Sequence, residues 1–443
     1  MKTPICDFVK EYSDSDTVRL HMPGHKGVSR LGCEGRDITE IVGADVLYRS
    51  GGIIRESEEN AAALFGAART VYSTEGSSLC IRGMLYLAMQ ATAKRTFLAG
   101  RNAHSAFVTA CALLDAEVDW LWGGDTLTAC AVTAEMVEQA LCKTAEKPAA
   151  VYVTSPDYLG NILDIAAIAE VCHCHGVLLL VDNAHGAYLR FLAEDKHPIS
   201  LGADLCCDSA HKTLPVLTGG AYLHISTAVA ELSEQAEHAL SLFASTSPSY
   251  LTLQSLDGCN AYLEDGFAAD LATCCDKVQE LKTALATHGY ALVGDEPLKV
   301  TVATKGYGYT GDAVAAYLEK RSIVCEFADP DYLVMMFAPC NAKEDFDRVE
   351  TVLCGLEKQK PLSEAAPKMP KPQVKTSLRE ALFASAEVLP LSACVGRVLA
   401  SPTVSCPPAV PVLVCGEQVD EACLEALGYY GIRYLNVILE ESL

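Results

Sequence analysis

Apolar positions along this chain change period repeatedly, and each change marks an element. ESEENAAALFGAA (56–68) has its apolar residues at helical spacing and ends on small residues, so it predicts a helix. Further on, short apolar runs alternate with longer helical ones. AAVYVTSP (149–156) predicts a buried strand closed by Pro156, ILDIAAIAEVCHCHG (162–176) a helix capped by Gly176, and VLLLVDNAHG (177–186) another buried strand. GADLCCDSAHK (202–212) and GGAYLHI (219–225) add two more, short and rich in apolar residues. Strands that are apolar along their whole length are covered on both faces. With helices between them they predict an α/β domain with a largely parallel sheet.

Residues 1–30 carry Pro, Gly and charges but little periodicity, and predict an irregular arm. Helix and strand return between about 265 and 355, with ALVGDEPLKVTVAT (291–304) and YLVMMFAP (332–339) as strand candidates. EKQKPLSEAAPKMPKPQVK (357–375) then breaks the pattern. Its prolines continue neither a helix nor a central strand, so it reads as a linker. The tail opens with a helical SLREALFASAEVL (377–389) and closes on GIRYLNVIL (431–439).

Composition narrows the class. A chain of 443 residues, 50% hydrophobic, can bury a large core and points to about two or three domains. Its 34 basic and 57 acidic residues leave a formal net charge of -23, which repels nucleic acid and anionic membrane. Such a surface can attract a cationic small molecule, although solubility alone accounts for it. The N-terminal MKTPICDFVKEYSDSD has no apolar signal core, so the expected location is the reducing cytoplasm, with the 20 cysteines as thiols. No Cys-x-x-Cys occurs, and in CHCHG (172–176) residues two apart on a helix point away from each other, so no metal site is expected. No apolar run reaches the length of a membrane span.

In an open α/β sheet, ligands bind outside the carboxyl ends of the strands. Asp182 stands there after VLLLV, and Ser209, His211 and Lys212 stand there after ADLCC. A buried carboxylate needs a cation or a strong donor, and a lysine in a partly dry site becomes a usable amine nucleophile. Pyridoxal phosphate would satisfy both, its aldehyde on Lys212 and its pyridine nitrogen on Asp182. On spacing alone the alternative stands level: an Asp that caps the next helix and a Lys in a surface turn. STEGSSLCIRG (73–83) places Ser77 and Ser78 where a helix start could cradle a phosphate, or where they simply cap the helix. His104, after TFLAG, could stack on a cofactor ring or be structural. A second His-Lys pair, His25-Lys26, has no strand before it and so no reason to present an amine.

The chain resembles the Orn/Lys/Arg decarboxylases, pyridoxal-phosphate enzymes of fold type I with the aminotransferase-like fold, and is closest to their short form. The resemblance runs in order through RLHMPGHKG, GADVLYRSGGIIRESEENAAALFGA, VDNAHGA, DSAHKTLPVLTGGAYLH, STSPSYLTLQSLD and GRVLASPTVSCPPAVPVLVCGE. It implies an arm (1–30), a large cofactor-binding α/β domain with a mostly parallel sheet (31–262), a small α/β domain (263–356), the linker (357–375) and a C-terminal domain (376–443). It assigns the cofactor aldehyde to Lys212, the ring nitrogen to Asp182 and ring stacking to His104. Ser77, Ser78, Ser209 and His211 would surround the phosphate, with Thr246 reaching it from a second copy, and Ala184 and His185 would line the other side of the ring. His211 or Lys212 would return a proton after carbon dioxide leaves.

The implied reaction is α-decarboxylation of arginine, lysine or ornithine by a homodimer with shared active sites, or by a higher oligomer. A carboxylate must then meet the cationic side chain. Glu326 is the candidate, equally readable as a solvated strand-edge carboxylate, with Asp329 second. Leu79, Cys80 and Ile81 depart from the polar run the family usually has, predicting a phosphate cup poor in polar groups; Asn183 replaces a usual Glu, and Ser105 a frequent Lys. CPPA (406–409) and CGE (415–417) replace the tail's usual motifs. An aminotransferase or carbon–carbon lyase on the same fold, or a regulatory relative without catalysis, are the competing readings.

Overall fold

The computed structural model describes residues 1–405 and 409–442, so most of CPPA lies outside the described residues. α1 (Pro4–Asp14) precedes a long irregular stretch, followed by α2 (Ile53–Phe65), β1 (Arg69–Ser73), α3 (Ser77–Thr92), β2 (Thr96–Gly100), α4 (Ser105–Leu114) and β3 (Glu117–Leu121). Next come α5 (Ala134–Lys143), β4 (Ala150–Thr154), α6 (Ile165–Cys174), β5 (Leu178–Asp182), β6 (Leu205–Asp208), the single turn α7 (Ala210–Thr213) and β7 (Ala221–Ile225). Three helices, α8 (Ala236–Ser241), α9 (Tyr250–Glu264) and α10 (Phe267–His288), lead to β8 (Ala291–Val293), β9 (Lys299–Ala303), α11 (Gly311–Glu319), β10 (Phe327–Ala328), β11 (Tyr332–Met336) and α12 (Lys343–Cys354). The tail holds α13 (Leu378–Phe383), β12 (Ala386–Pro390), β13 (Thr403–Val404), β14 (Leu413–Val414), α14 (Glu421–Tyr429) and β15 (Tyr434–Ile438).

By contacts the chain forms two units, Met1–Lys94 with Ile165–Asp270, and Arg95–Asp164 with Leu271–Leu443. Both draw on the residues 31–262 expected to form one large domain.

In the first unit the strands run in the order β1-β7-β6-β5. β5 and β6 are parallel, β7 is antiparallel to β6, and β1 is antiparallel to β7. β1, β6 and β7 are buried at every position, as expected for strands covered on both faces. α3 lies against β6 and β7, and α2 packs on β1 and α9. The irregular arm expected at the N-terminus begins instead with α1. Pro4 at its start, with Ile5 and Val9 buried, gives it a proline-initiated amphipathic turn pattern. Its cap comes from far away in sequence: Asp257 Oδ2 on α9 accepts the backbone N–H of Ile5 at 3.0 Å and of Cys6 at 2.9 Å.

In the second unit β4, β2 and β3 are parallel, in the order β4-β2-β3. A separate antiparallel sheet runs β10-β11-β9-β8, and the tail adds the pairs β12-β15 and β13-β14. SLREALFASAEVL is therefore helical only to Phe383 and becomes a strand from Ala386. Residues 357–373 have no helix or strand, as the prolines require. They are nonetheless seated: Gln359 N–H donates to Tyr307 O at 3.1 Å and Met369 N–H to Asp125 O at 2.8 Å. Arg101 and Glu417, both buried, form a two-pronged ion pair at 2.7 Å per prong, which fixes CGE against the strand end after β2. Among the described residues no helix is long and apolar enough to cross a membrane. No disulfide bridges the described cysteines, and of the CHCHG pair Cys172 is buried while Cys174 is exposed.

Candidate active site

β5 and β6 run parallel with Asp182 opposite Cys207, so their carboxyl ends reach the same edge. Asp182 is buried there, and its Oδ1 accepts the Ala184 backbone N–H at 3.2 Å and the Cys207 thiol at 3.6 Å. Burial, reinforced by the Asp182 charge, pushes the Cys207 thiol well above its ordinary value, so it stays protonated and can donate.

β6 ends at Asp208, and Ser209 leads into α7, which carries His211 and Lys212. Lys212 Nζ lies 3.2 Å from His185 Nε2. The lysine is exposed in the single chain, not dry as the sequence predicted. His211 Nδ1 is 3.0 Å from the carbonyl oxygen of Gly220. Because a carbonyl only accepts, Nδ1 carries the hydrogen and Nε2 is left as the basic nitrogen.

The start of α3 is held beside these strand ends. The Ser209 hydroxyl donates to Ser77 Oγ at 2.8 Å, and Gly76 N–H donates to Gly219 O at 2.7 Å. Gly219 has φ +95°, and a Cβ there would sit 2.6 Å from Thr74 O, so this close approach needs glycine. Ser77 and Ser78 are half-buried at the helix start, where backbone N–H groups and the helix dipole favour an anion. Leu79, Cys80 and Ile81 are buried in the core. They serve packing, and the polar side chains near this helix start are those of Ser77, Ser78 and Ser209.

Ala184 and His185 are buried just beyond Asp182, and Thr246 is exposed in the loop between α8 and α9. The other His-Lys pair holds its own loop: His25 Nε2 is 3.2 Å from Asp37 Oδ2, and Lys26 Nζ donates to His21 O.

Three predicted residues belong to the second unit. His104 is exposed after the carboxyl end of β2 and caps α4, its Nδ1 accepting the Ala106 N–H at 3.1 Å. Glu326 Oε1 accepts the Tyr158 hydroxyl at 3.0 Å, and the residue lines two cavities of about 410 and 370 Å³. The larger also touches Arg348 and Asn341. Asp329, the second candidate, lines neither: it is buried, and its Oδ1 accepts the N–H groups of Asp331 and Tyr332 at 2.7 Å each, in the turn between β10 and β11.

The sequence reading passed over Asp208. It is fully buried at a strand end, bonded to Asn183, His197 and His224. The argument that selected Asp182, an acid closing an apolar strand, applies equally to it.

A strand-end carboxylate, a lysine on the neighbouring strand end and a serine-bearing helix start suit a pyridine nitrogen, an aldehyde and a phosphate respectively. The buried Thr213 Oγ1, next to Lys212, has no protein partner, as expected beside a site built for a ligand. The fold is that of the fold type I pyridoxal-phosphate enzymes. Residues 3–293 match the Orn/Lys/Arg decarboxylase major domain, and the chain belongs to that family of decarboxylases.

The arginine decarboxylase of Halalkalibacterium halodurans is 28% identical over 470 residues, spanning 96% of this chain and 92% of that protein. The arginine decarboxylase of Bacillus subtilis is 28% identical over 461 residues, spanning 95% of this chain and 92% of that one. An uncharacterised Bacillus subtilis protein is 26% identical across 96% of this chain and 94% of its own length. Among solved structures, the lysine decarboxylase of Francisella novicida superposes with a TM-score of 0.82 at 18% identity, covering 99% of this chain and 81% of that one.

Proposed function

We propose that this chain is a pyridoxal-phosphate-dependent α-decarboxylase of a cationic amino acid, with arginine the first substrate to test. The observation that carries the reading is the juxtaposition of Asp182 and the Lys212 segment at adjacent parallel strand ends, beside the Ser77–Ser209 pair. The arginine decarboxylases among the similar proteins support arginine as first choice. Bound there, the cofactor would supply an electron sink for the carbon that loses its carboxylate.

In this reading each residue has a part that its geometry supports. Asp182 presents a buried negative charge to a ring nitrogen and keeps it protonated. Ser77, Ser78, Ser209 and the α3 start hold a phosphate. Lys212 Nζ provides the amine, and His185 Nε2, 3.2 Å away, holds it in place. His211 Nε2 is the basic nitrogen that could carry the proton returned to the substrate. The resemblance gives ring stacking to His104 and recognition of the cationic side chain to Glu326, and both roles are kinetic to test. Glu326→Gln should raise KM for the cationic substrate with a smaller change in kcat.

Purified protein supplied with pyridoxal phosphate should release carbon dioxide and the matching amine from one of arginine, lysine or ornithine. Lys212→Ala should bring that release to background and abolish borohydride trapping of the cofactor on the chain. Keto-acid formation without carbon dioxide from all three substrates would overturn the reading in favour of an aminotransferase.

The working form we propose is a homodimer that buries the arm and the irregular stretch just after it. Leu20 and Leu31 are 87% and 88% exposed, and Val18, Met22, Val28 and Val42 are exposed with them. This concentration of open apolar side chains suits a second copy, with Thr246 contributing to the neighbouring site.

A further inference from the structure

We infer that Asp208 is a positioning residue, which through Asn183, His197 and His224 locks the strand ends carrying Asp182 and the Lys212 segment into one fixed arrangement. The inference rests on the reading that these two residues hold pyridoxal phosphate.

Asn183 follows Asp182 directly and is fully buried, and its Nδ2 donates to Asp208 Oδ1 at 2.6 Å. Asp208 directly precedes Ser209. One side-chain bond therefore ties the residue after the ring-nitrogen carboxylate to the residue before the lysine segment. The other carboxylate oxygen accepts from His197 Nε2 at 3.0 Å and from His224 Nε2 at 3.1 Å. His224 stands on β7, and its Nδ1 is 2.8 Å from Thr70 Oγ1 on β1. The network thus reaches β1, β6 and β7 and the residue that directly follows β5.

The protons can be placed. His197 Nδ1 accepts the Ile199 backbone N–H at 3.3 Å, so its Nε2 carries hydrogen and donates. The Thr70 hydroxyl can donate to His224 Nδ1, so that imidazole donates from Nε2 as well. Burial lowers His224 from its ordinary value, which keeps it neutral. The cluster then holds a single negative charge with four side-chain donors aimed at it, the two imidazoles, the Asn183 amide and the Cys206 thiol at 3.7 Å. The three ligand-type atoms are near enough to one another to suggest a metal ion. A ring nitrogen that carries hydrogen cannot ligate one, however, and the donors already close the cluster.

The surroundings keep water out. The Phe65 ring centroid is 4.5 Å from that of His224 and 5.2 Å from that of His197. A buried charge is a poor way to gain stability, since a well-packed apolar group often does as well. What it provides here is direction, because each donor must point at one of two oxygens.

Asn183 gains an explanation in the same terms. A Cβ at position 186 would lie 2.0 Å from Asn183 Oδ1, so the carboxamide is packed against Gly186 on one side and bonded to Asp208 on the other. An acid at 183, usual in the family it resembles, would face Asp208 carboxylate to carboxylate in a dry site. Asn183 and Asp208 therefore belong together.

The test compares wild type, Asp208→Asn and the swap Asn183→Asp with Asp208→Asn, which returns a carboxylate–carboxamide pair to the same gap. Each is titrated with pyridoxal phosphate by absorbance, reduced with borohydride, and mapped by peptide mass for cofactor on Lys212. Circular dichroism and melting without cofactor establish that each is folded. Asp208→Asn should weaken cofactor affinity about tenfold, the size of one lost charge-assisted bond, and lower the trapped fraction. The swap should recover most of both. Folded Asp208→Asn binding within about twofold of wild type, below what such a bond is worth, would sink the inference, as would a swap no better than Asp208→Asn. If Asp208→Asn does not fold, His224→Gln replaces it, and unchanged affinity there has the same meaning. Wild type that binds no pyridoxal phosphate overturns both the functional reading and this one. Wild type that binds beside an unaffected Asp208→Asn overturns this one alone.

Discussion

Asp329 is a side chain whose charge is set by where it is buried. Its carboxyl is pushed up to about 6 by burial, which outweighs its two backbone hydrogen bonds. The unfolded chain releases this proton near pH 4, so between about pH 4 and 6 the folded protein binds more protons than the unfolded one, and stability falls as pH rises through 6. Asp329→Asn keeps the oxygen that accepts from Asp331 and Tyr332 and removes the ionisation. The variant should melt with wild type near pH 4 and be the more stable by about 1–3 kcal/mol at pH 8. Thermal melts at the two pH values decide it, and a wild type that is the more stable at pH 8 contradicts it. At this scale the apolar runs placed Asp182 at a strand end and the Lys212 segment just past one, where β5 and β6 do end. The sequence reading missed that Asp329 serves a turn and that Lys212 is exposed. The turn is local, since Asp329 bonds the N–H groups two and three residues on, and the Asp-Pro-Asp that it opens was a readable turn signal. The exposure of Lys212 depends on which surfaces come near, which its sequence neighbours do not encode.

Elements were read well where period and cap were both local. β4, α6, β5 and β7 fall within the stretches that predicted them, and α2 begins three residues before its own. α1 was missed because its cap is Asp257, on a helix that begins about 240 residues later in the chain. The tail segment 377–389 was read as one helix because its apolar spacing permits it, whereas pairing with β15 draws its second half into a strand. The reach of Asp257 is testable. Besides the two N–H groups of α1 it accepts the Ser57 hydroxyl at 2.6 Å, so Asp257→Ala leaves three donors without their acceptor. We expect a loss of about 2–4 kcal/mol and faster amide exchange over 4–14, with the β5 and β6 amides little changed in the folded state. Equal exchange over 4–14 in both proteins would mean that apolar packing of Ile5 and Val9 alone holds the helix.

For the whole molecule the question is what covers the open apolar side chains between 18 and 42. Leu20, Leu31 and Val42 stand open in the single chain, and six of the exposed large apolar side chains among the described residues fall between 18 and 42. Burying one leucine is worth about 1.5–3 kcal/mol, so six such residues give an interface ample driving force even after the cost of association. The net charge of -23 opposes self-association, so the proposed interface would rely on apolar contact, and added salt should strengthen it by screening the repulsion. Leu20→Asp together with Leu31→Asp replaces two of the most exposed of these side chains with charge and leaves the described core untouched. In sedimentation, wild type should run as a dimer at micromolar concentration and the double variant as a monomer with an unchanged far-ultraviolet spectrum. If the partner's Thr246 completes each site, the monomer should also hold pyridoxal phosphate more weakly. A double variant that remains dimeric would place the interface elsewhere. A monomer with undiminished cofactor affinity would show that each chain's site is complete without a second copy.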